Sequence, residues 1–278
     1  MSLEKSEAIV IRTVDFSETS LILDMFTRDH GKIGALAKGA RRLKNPFESA
    51  LDVLARISVS FIRKNFDSLD LLTEAKLISR FRPSDAGMVG LYAGFYLSEL
   101  LRTLTEEGEP MPELYDLASD TLDRFQKGRH IAEYLFRFEW GLLECSGQRP
   151  STDVCIGCGA GIHPERLGEN DTAALAIEDG GAVCPKCRRT RKFRQIVQVA
   201  PATVQWLNQL ELDAEPPFFK DESHQVRREI LGVTNYAVNI IRGRKPKMQE
   251  IMDKVIAYEA RTEAQKQLEK HETNENQT

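Results

Sequence analysis

Two cysteine pairs, Cys155-Ile156-Gly157-Cys158 and Cys184-Pro185-Lys186-Cys187, constrain this chain more than any other stretch. A two-residue gap lets both thiolates of a pair point inward from one tight turn. Two such turns facing each other supply four soft ligands in a tetrahedron, the closed geometry of structural Zn²⁺. Gly157 and Gly159 relieve the backbone where the first knuckle bends, and Pro185 stiffens the second. The 25 residues between the pairs, 159 to 183, read as flexible, with glycine at 159, 161, 168, 180 and 181. The bland alternative is two disulfides or four buried thiols. An odd total of five cysteines and the lack of a secretory pattern at the N-terminus argue against an oxidised framework. Cys145 lies ten positions before the first knuckle, on a predicted helix, and is expected to be an inert core thiol.

A rival chemistry competes for the same residues. Zinc deaminases of nucleobases carry His-x-Glu followed by Pro-Cys-x-x-Cys. This chain has His163-Pro164-Glu165 and then Val183-Cys184-Pro185-Lys186-Cys187. Val183 stands where that pattern needs proline, and Cys155 and Cys158 are left without a role. Four thiolates also leave no open position for water, so the expected site is structural.

Net charge is −4 over 278 residues, which by itself argues against nucleic acid; its distribution does not. Between residues 28 and 64 nine Lys and Arg face three carboxylates, a local +6. From 103 to 123 there are seven carboxylates and no Lys or Arg. Such asymmetry points to a basic binding face on an acidic body. The loop Lys38-Gly39-Ala40-Arg41-Arg42-Leu43-Lys44-Asn45-Pro46 puts four cations in seven residues. It is either a solvated loop or a phosphate-tracking surface, salt-sensitive and blind to base sequence. Phe47 and Phe66 are within reach of bases, although a lone buried aromatic is more often core. A second run, Lys186, Arg188, Arg189, Arg191, Lys192 and Arg194, follows the second knuckle and is read as a second DNA contact or a solvated face. No phosphate-binding glycine loop and no nucleophile elbow is present, so the expected protein is not an enzyme. With no apolar run long enough to span a bilayer, it is expected to be cytosolic.

Residues 1–80 read as five short strands: Ala8–Val14, Ser20–Thr27, Ile33–Gly39, Val53–Arg63 and Leu69–Ile78. Turn signals between them fit a small barrel. From 84 the period becomes helical, with Ser84 and Asp85 as caps, a second helix from Pro112 and a third through Phe138 and Leu142. These three are expected to form a bundle, with helices from Pro201 and after Asp221 packing back on it. The expected organisation is α+β: a barrel over 1–80, helices over 81–150, a zinc module over 151–195 inserted before a second helical part over 196–247, and a frayed helix with a disordered tail over 248–278.

Several segments carry a family resemblance. They are Glu7-Ala8-Ile9-Val10-Ile11, Asp15-Phe16-Ser17-Glu18-Thr19-Ser20, Thr27-Arg28-Asp29-His30-Gly31-Lys32 and Ala37-Lys38-Gly39-Ala40-Arg41-Arg42. The later parts agree: Gly147-x-x-Pro150 leading into the first cysteine pair, the second pair, and Tyr236 through Lys247 with Gly243-Arg244-Lys245. Together they resemble the bacterial RecO family of recombination mediators, over residues 5–247 or so. The resemblance implies an N-terminal OB-fold, a helical domain interrupted by a four-cysteine zinc module, and a place in the bacterial cytoplasm at the nucleoid. It implies binding of single- and double-stranded DNA, strand annealing, association with RecR, and contact with the acidic tail of single-strand-binding protein, so as to place RecA on covered DNA in gap repair. Onto this chain the DNA-contact role carries to Lys38, Arg41 and Arg42, then Lys44, Arg28 and Lys32, and the zinc role to Cys155, Cys158, Cys184 and Cys187. Two further readings stand beside the mediator: the deaminase, and a zinc-ribbon adaptor that binds proteins.

Overall fold

In the computed structural model, the structure describes residues 2–42, 44, 46, 47, 50–64, 68–167, 172–210, 219, 222–243 and 250. Phe66 and all of the expected tail except Glu250 therefore lie outside the described residues. The chain divides into two compact units. The described residues of one run over 2–110 and 122–131, and those of the other over 111–121 and 132–243.

Five strands build the first unit: β1 (Leu3–Asp15), β2 (Leu21–Thr27), β3 (Gly31–Ala37), β4 (Arg56–Ile62) and β5 (Asp70–Ser79). They close into a barrel in the order β1-β2-β3-β5-β4, and β4 returns to β1. This is the five-stranded OB arrangement. Every pairing is antiparallel except β3 with β5, a parallel seam over Ala35–Ala37 and Asp70–Leu72. Alternation drives the strands. In β4 Ile57, Val59 and Phe61 point inward while Ser58 faces water, and in β3 Ile33, Ala35 and Ala37 do the same. β1 departs from alternation, with Ala8 through Ile11 buried on both faces. The register shifts between Val10 and Arg12, a bulge that re-aims the chain there. α1 (Gly87–Leu104) packs against β1 and β2, and the Ser98 hydroxyl donates to the Ile11 carbonyl at 2.6 Å.

Two expectations are corrected here. α1 belongs with the barrel rather than with a three-helix bundle, because it packs against β1 and β2 and falls within the barrel's unit. Its N-cap is Ala86, with no side-chain cap; the Ser84 hydroxyl instead bonds Asp85, at 3.3 Å.

The next helix, α2 (Pro112–Gln126), passes from the second unit into the first. On the first-unit side Asp123 pairs with Arg56 of β4 at 2.9 Å. In the second unit α3 (Ile131–Cys145) is buried almost all round, and the buried Arg137 guanidinium is paired with Asp120. Phe136 on α3 meets Trp206 of α5 (Pro201–Gln209) and Phe219, at centroid distances of 5.5 and 5.7 Å. α6 (His224–Arg242) starts at a Ser223 cap. Its Glu229 accepts from Ala200 N–H and the Thr203 hydroxyl at 2.7 and 2.6 Å, so a carboxylate sits on the first turn of α5. Burial opposes ionisation of Glu229, but hydrogen bonds from Thr203, Gln225 and Ala200 prevail and hold its carboxyl below the usual range.

The spacer between the cysteine pairs is largely structured. β6 (Ala173–Ala176), β7 (Gly181–Val183) and β8 (Val197–Val199) form an antiparallel sheet in the order β7-β6-β8. Gly181, at φ 143°, lies so close to Ser151 that a Cβ would sit 2.1 Å from that residue's carbonyl oxygen, which accepts from Ala182 N–H at 2.7 Å. Among the described residues no helix is long and apolar enough to cross a membrane.

Candidate metal centre and nucleic-acid interface

The two knuckles meet. The first turn closes through Cys155 N–H to the Ala160 carbonyl and Gly159 N–H to the Cys155 carbonyl, both 2.8 Å. Ile156 N–H ties it to β7 at the Ala182 carbonyl, 3.0 Å. The second begins where β7 ends: Cys184 caps α4 (Pro185–Thr190), its sulfur accepting from Cys187 N–H at 3.4 Å. Pro185 at the first helical position suits that start, since a proline there loses no hydrogen bond. The Sγ atoms of Cys155, Cys158, Cys184 and Cys187 all lie within 4.8 Å of one another. Four sulfurs at about 2.3 Å from a tetrahedral Zn²⁺ stand about 3.8 Å apart, and Cys158 and Cys184 are 3.8 Å apart. The donor set fits a closed four-thiolate site.

The electrostatics are those of a site built for thiolates. Burial works against ionising Cys155, but backbone N–H groups of Cys184, Gly157 and Cys158 prevail and bring its thiol down to about 6. Two of them reach its sulfur at 3.3 Å (Cys184) and 3.4 Å (Gly157). Burial, hydrogen bonding with the sulfurs of Cys158, Cys184 and Cys155, and the charge of Cys155 push Cys187 up to about 12.

His163, which the deaminase pattern needs as a ligand, is not grouped with these sulfurs. Its Nδ1 is 3.1 Å from Glu165 Oε1, at the start of a 3-10 turn over Pro164–Arg166. Cys145, expected in the core, is exposed at the last residue of α3. Its thiol pKa is raised by desolvation of the sulfur and by Glu113 and Glu144.

The six cations assigned to DNA do not gather in one place. Lys38, Arg41, Arg42 and Lys44 are exposed on the long loop after β3. That loop is stitched to the β1–β2 loop, with Arg41 N–H on the Thr19 carbonyl at 3.0 Å and Gly39 N–H on Ser20 Oγ at 3.3 Å. Gly39 makes the turn at φ 70°. Arg41 is also paired with Asp15 at the end of β1. Farther along, Phe47 drops into the barrel interior at 2% exposure, beside Ala50. It is core and not a base platform. Arg28 and Lys32 belong to the other end of β3, about 20 Å away at ordinary strand rise. Lys32 is committed there: its ammonium donates to the Arg102 and Thr105 carbonyls at 2.8 and 2.5 Å, closing the C-terminus of α1. Burial holds its pKa below 10.5, against the pull of Glu107 and Glu106. The same end of β3 is overlain by the acidic segment, Gly108 N–H bonding the Lys32 carbonyl at 2.9 Å. Nothing in the sequence pattern separates Lys32 from its neighbours; only the register of β3 against the end of α1 does.

A family profile described as "Recombination protein O N terminal" matches residues 1–81, and one described as "Recombination protein O C terminal" matches residues 88–246. The chain belongs to the RecO family. A "DNA repair protein RecO" of Rhodopirellula baltica is 34% identical over 268 residues, covering 88% of this chain and 97% of the relative. A protein of the same description from Pelobacter propionicus is 34% identical over 197 residues, 70% of this chain and 76% of that one. One from Myxococcus xanthus is 29% identical over 249 residues, 90% of this chain and 96% of that one. The two RecO profiles meet where α1 begins, so the RecO N-terminal match spans the whole barrel, and the C-terminal match takes in α1 and all four cysteines.

Proposed function

We propose that this RecO-family chain is a non-enzymatic mediator of recombination in the bacterial cytoplasm. It binds DNA through Lys38, Arg41, Arg42 and Lys44 at one end of the barrel. It anneals strands and, with RecR, helps place RecA on single strands covered by single-strand-binding protein, whose acidic tail it contacts, during gap repair. The observation that carries this is a cationic loop laid against the β1–β2 loop of a five-stranded barrel, since that loop borders the binding face such barrels use for oligonucleotides. Annealing needs no catalytic group. Cations fixed on a rigid barrel screen phosphate repulsion on two strands at once, and the released counterions supply the driving force. Lys32 is left out of the contact set, because its ammonium closes a helix; Arg28 stays only as an outlying contact at the far end of β3. Zn²⁺ held by Cys155, Cys158, Cys184 and Cys187 would lock the sheet β6–β8 and α4 together without taking part in any bond-making step.

The test is a salt titration of binding to a labelled single strand. Arg41→Glu with Arg42→Glu should weaken binding and lower the slope of log K against log salt by about 1.4, since each lost phosphate contact on a single strand removes about 0.7. Unchanged affinity and slope in a folded double variant would sink the reading.

A further inference from the structure

The second unit carries a cavity outside the four-thiol site. About 600 Å³ in volume, it opens beside Cys184, with apolar walls from Ile162, Leu167, Ala173, Ala174, Val183 and Pro185. Arg188, Arg189 and His163 also line it, and all three are exposed, so the two guanidinium groups stand at its mouth. Arg188 and Arg189 are part of the run that continues with Lys186, Arg191, Lys192 and Arg194, every one of them exposed. Among the described residues none of the six is in a salt bridge; Asp179 accepts from the backbone N–H of Arg194 at 2.9 Å. Cys187, buried between Lys186 and Arg188, fixes the helix that presents them.

The geometry points to a single-strand binding site on the zinc module: phosphates run along Lys186–Arg194, and one unstacked base enters the cavity beside Cys184. The inference rests on the reading of this chain as a DNA-binding protein and adds a second surface to it. Charge selects the occupant. An acidic peptide carboxylate is satisfied by one or two guanidinium groups, whereas six cations in nine residues suit a polyanion whose charge repeats. One turn of helix followed by extended chain gives the run about 20 Å of contour, enough for several consecutive phosphates. The cavity selects the strand state. A duplex keeps its base faces stacked and covered, so only a single strand can turn an apolar base face into an apolar-walled cavity. A volume of this size is within the ordinary range for small-molecule sites, so base and sugar both fit.

The full-length protein is titrated with a fluorescent oligothymidylate, a duplex of equal length and an oligoglutamate peptide, over a range of salt. Arg188→Ala with Arg189→Ala should lower the single-strand salt slope by about 1.4. Thr172→Trp narrows the cavity from its exposed lip without touching charge. It should weaken single-strand binding about tenfold, the scale of docking one base, with the slope and the duplex affinity unchanged. Zinc content and far-UV circular dichroism confirm that both variants fold. The proposal is overturned if Thr172→Trp binds the single strand like the parent, or if it weakens duplex binding equally. It is also overturned if these variants lose only the peptide, which would give the cavity to a protein partner. If the α4 variants respond as stated while Arg41→Glu with Arg42→Glu does not, the barrel surface fails and this one stands.

Discussion

The two cationic surfaces are anchored by different physics. On the barrel, the loop after β3 is held by apolar burial: Phe47 and Ala50 are sunk among Leu23, Met25 and Phe61, and backbone hydrogen bonds tie Gly39 and Arg41 to the neighbouring loop. In the second unit, α4 is only six residues long, too short to persist alone, and it is held by Cys184 and Cys187. The barrel's charges are partly engaged, Arg41 by Asp15 and Lys32 by the end of α1, while those of α4 have no carboxylate partner among the described residues. A cation counted in the sequence is thus not a cation available to a ligand. Availability depends on what anchors the segment and what lies within a few ångströms of the charge.

The largest effect should come from breaking the metal anchor. On the proposed zinc site, Cys155→Ser is expected to abolish Zn²⁺ binding and, with it, the order of β6–β8 and α4, because four-thiolate zinc contributes of order 10 kcal/mol to small modules. Elemental analysis and limited proteolysis check this, and a variant retaining full zinc would refute it. Breaking the apolar anchor comes next. Phe47→Ala should cost the barrel about 3–5 kcal/mol, read as a lower melting temperature, without changing zinc content.

Lys32→Met sharpens the contrast between a structural and an available cation. It should shift stability by about 1 kcal/mol and leave the DNA salt slope alone. The parent should also gain stability relative to this variant as pH rises toward 10.5, because there the unfolded chain holds the Lys32 proton that the folded chain has already lost. The smallest effect is Asp15→Asn, which releases Arg41. Because an exposed pair is worth about 0.2–1 kcal/mol, single-strand affinity should rise a few-fold at most, and a fall would show that Asp15 positions Arg41 productively.

Much of this was legible before any coordinates. The alternation in β4, imperfect only at Ile62, and the shift to helical period after Ser84 give the barrel and its first helix, and the two Cys-x-x-Cys turns give the four-sulfur cluster. Other features were hidden for physical reasons. Ala173-Ala174-Leu175-Ala176 has no β-branched residue, so β6 carries little strand signal and exists because β7 and β8 flank it. The membership of α1 was ambiguous because its apolar residues cover a broad face, leaving the choice of partner to tertiary packing against β1. Lys32 reads as one more basic residue until the strand register sets it beneath the carbonyls of Arg102 and Thr105. Cys145 falls on the apolar period of α3 but lies at its last residue, beyond the turn that packs.

The segment over Gly31 has an electrical consequence. Gly31 approaches Glu109 so closely that a Cβ would lie 2.0 Å from its carbonyl oxygen, which pins Glu106, Glu107 and Glu109 to the start of β3. Four cations leave from the other end of the same strand. Those carboxylates stand beside Lys32, Arg63 and Lys64, so the barrel's field is mixed at their end and cationic at the other, where Lys38, Arg41, Arg42 and Lys44 are exposed. A polyanion drifting in from solution is turned by that field before it touches anything, so arrival should be more salt-sensitive than departure.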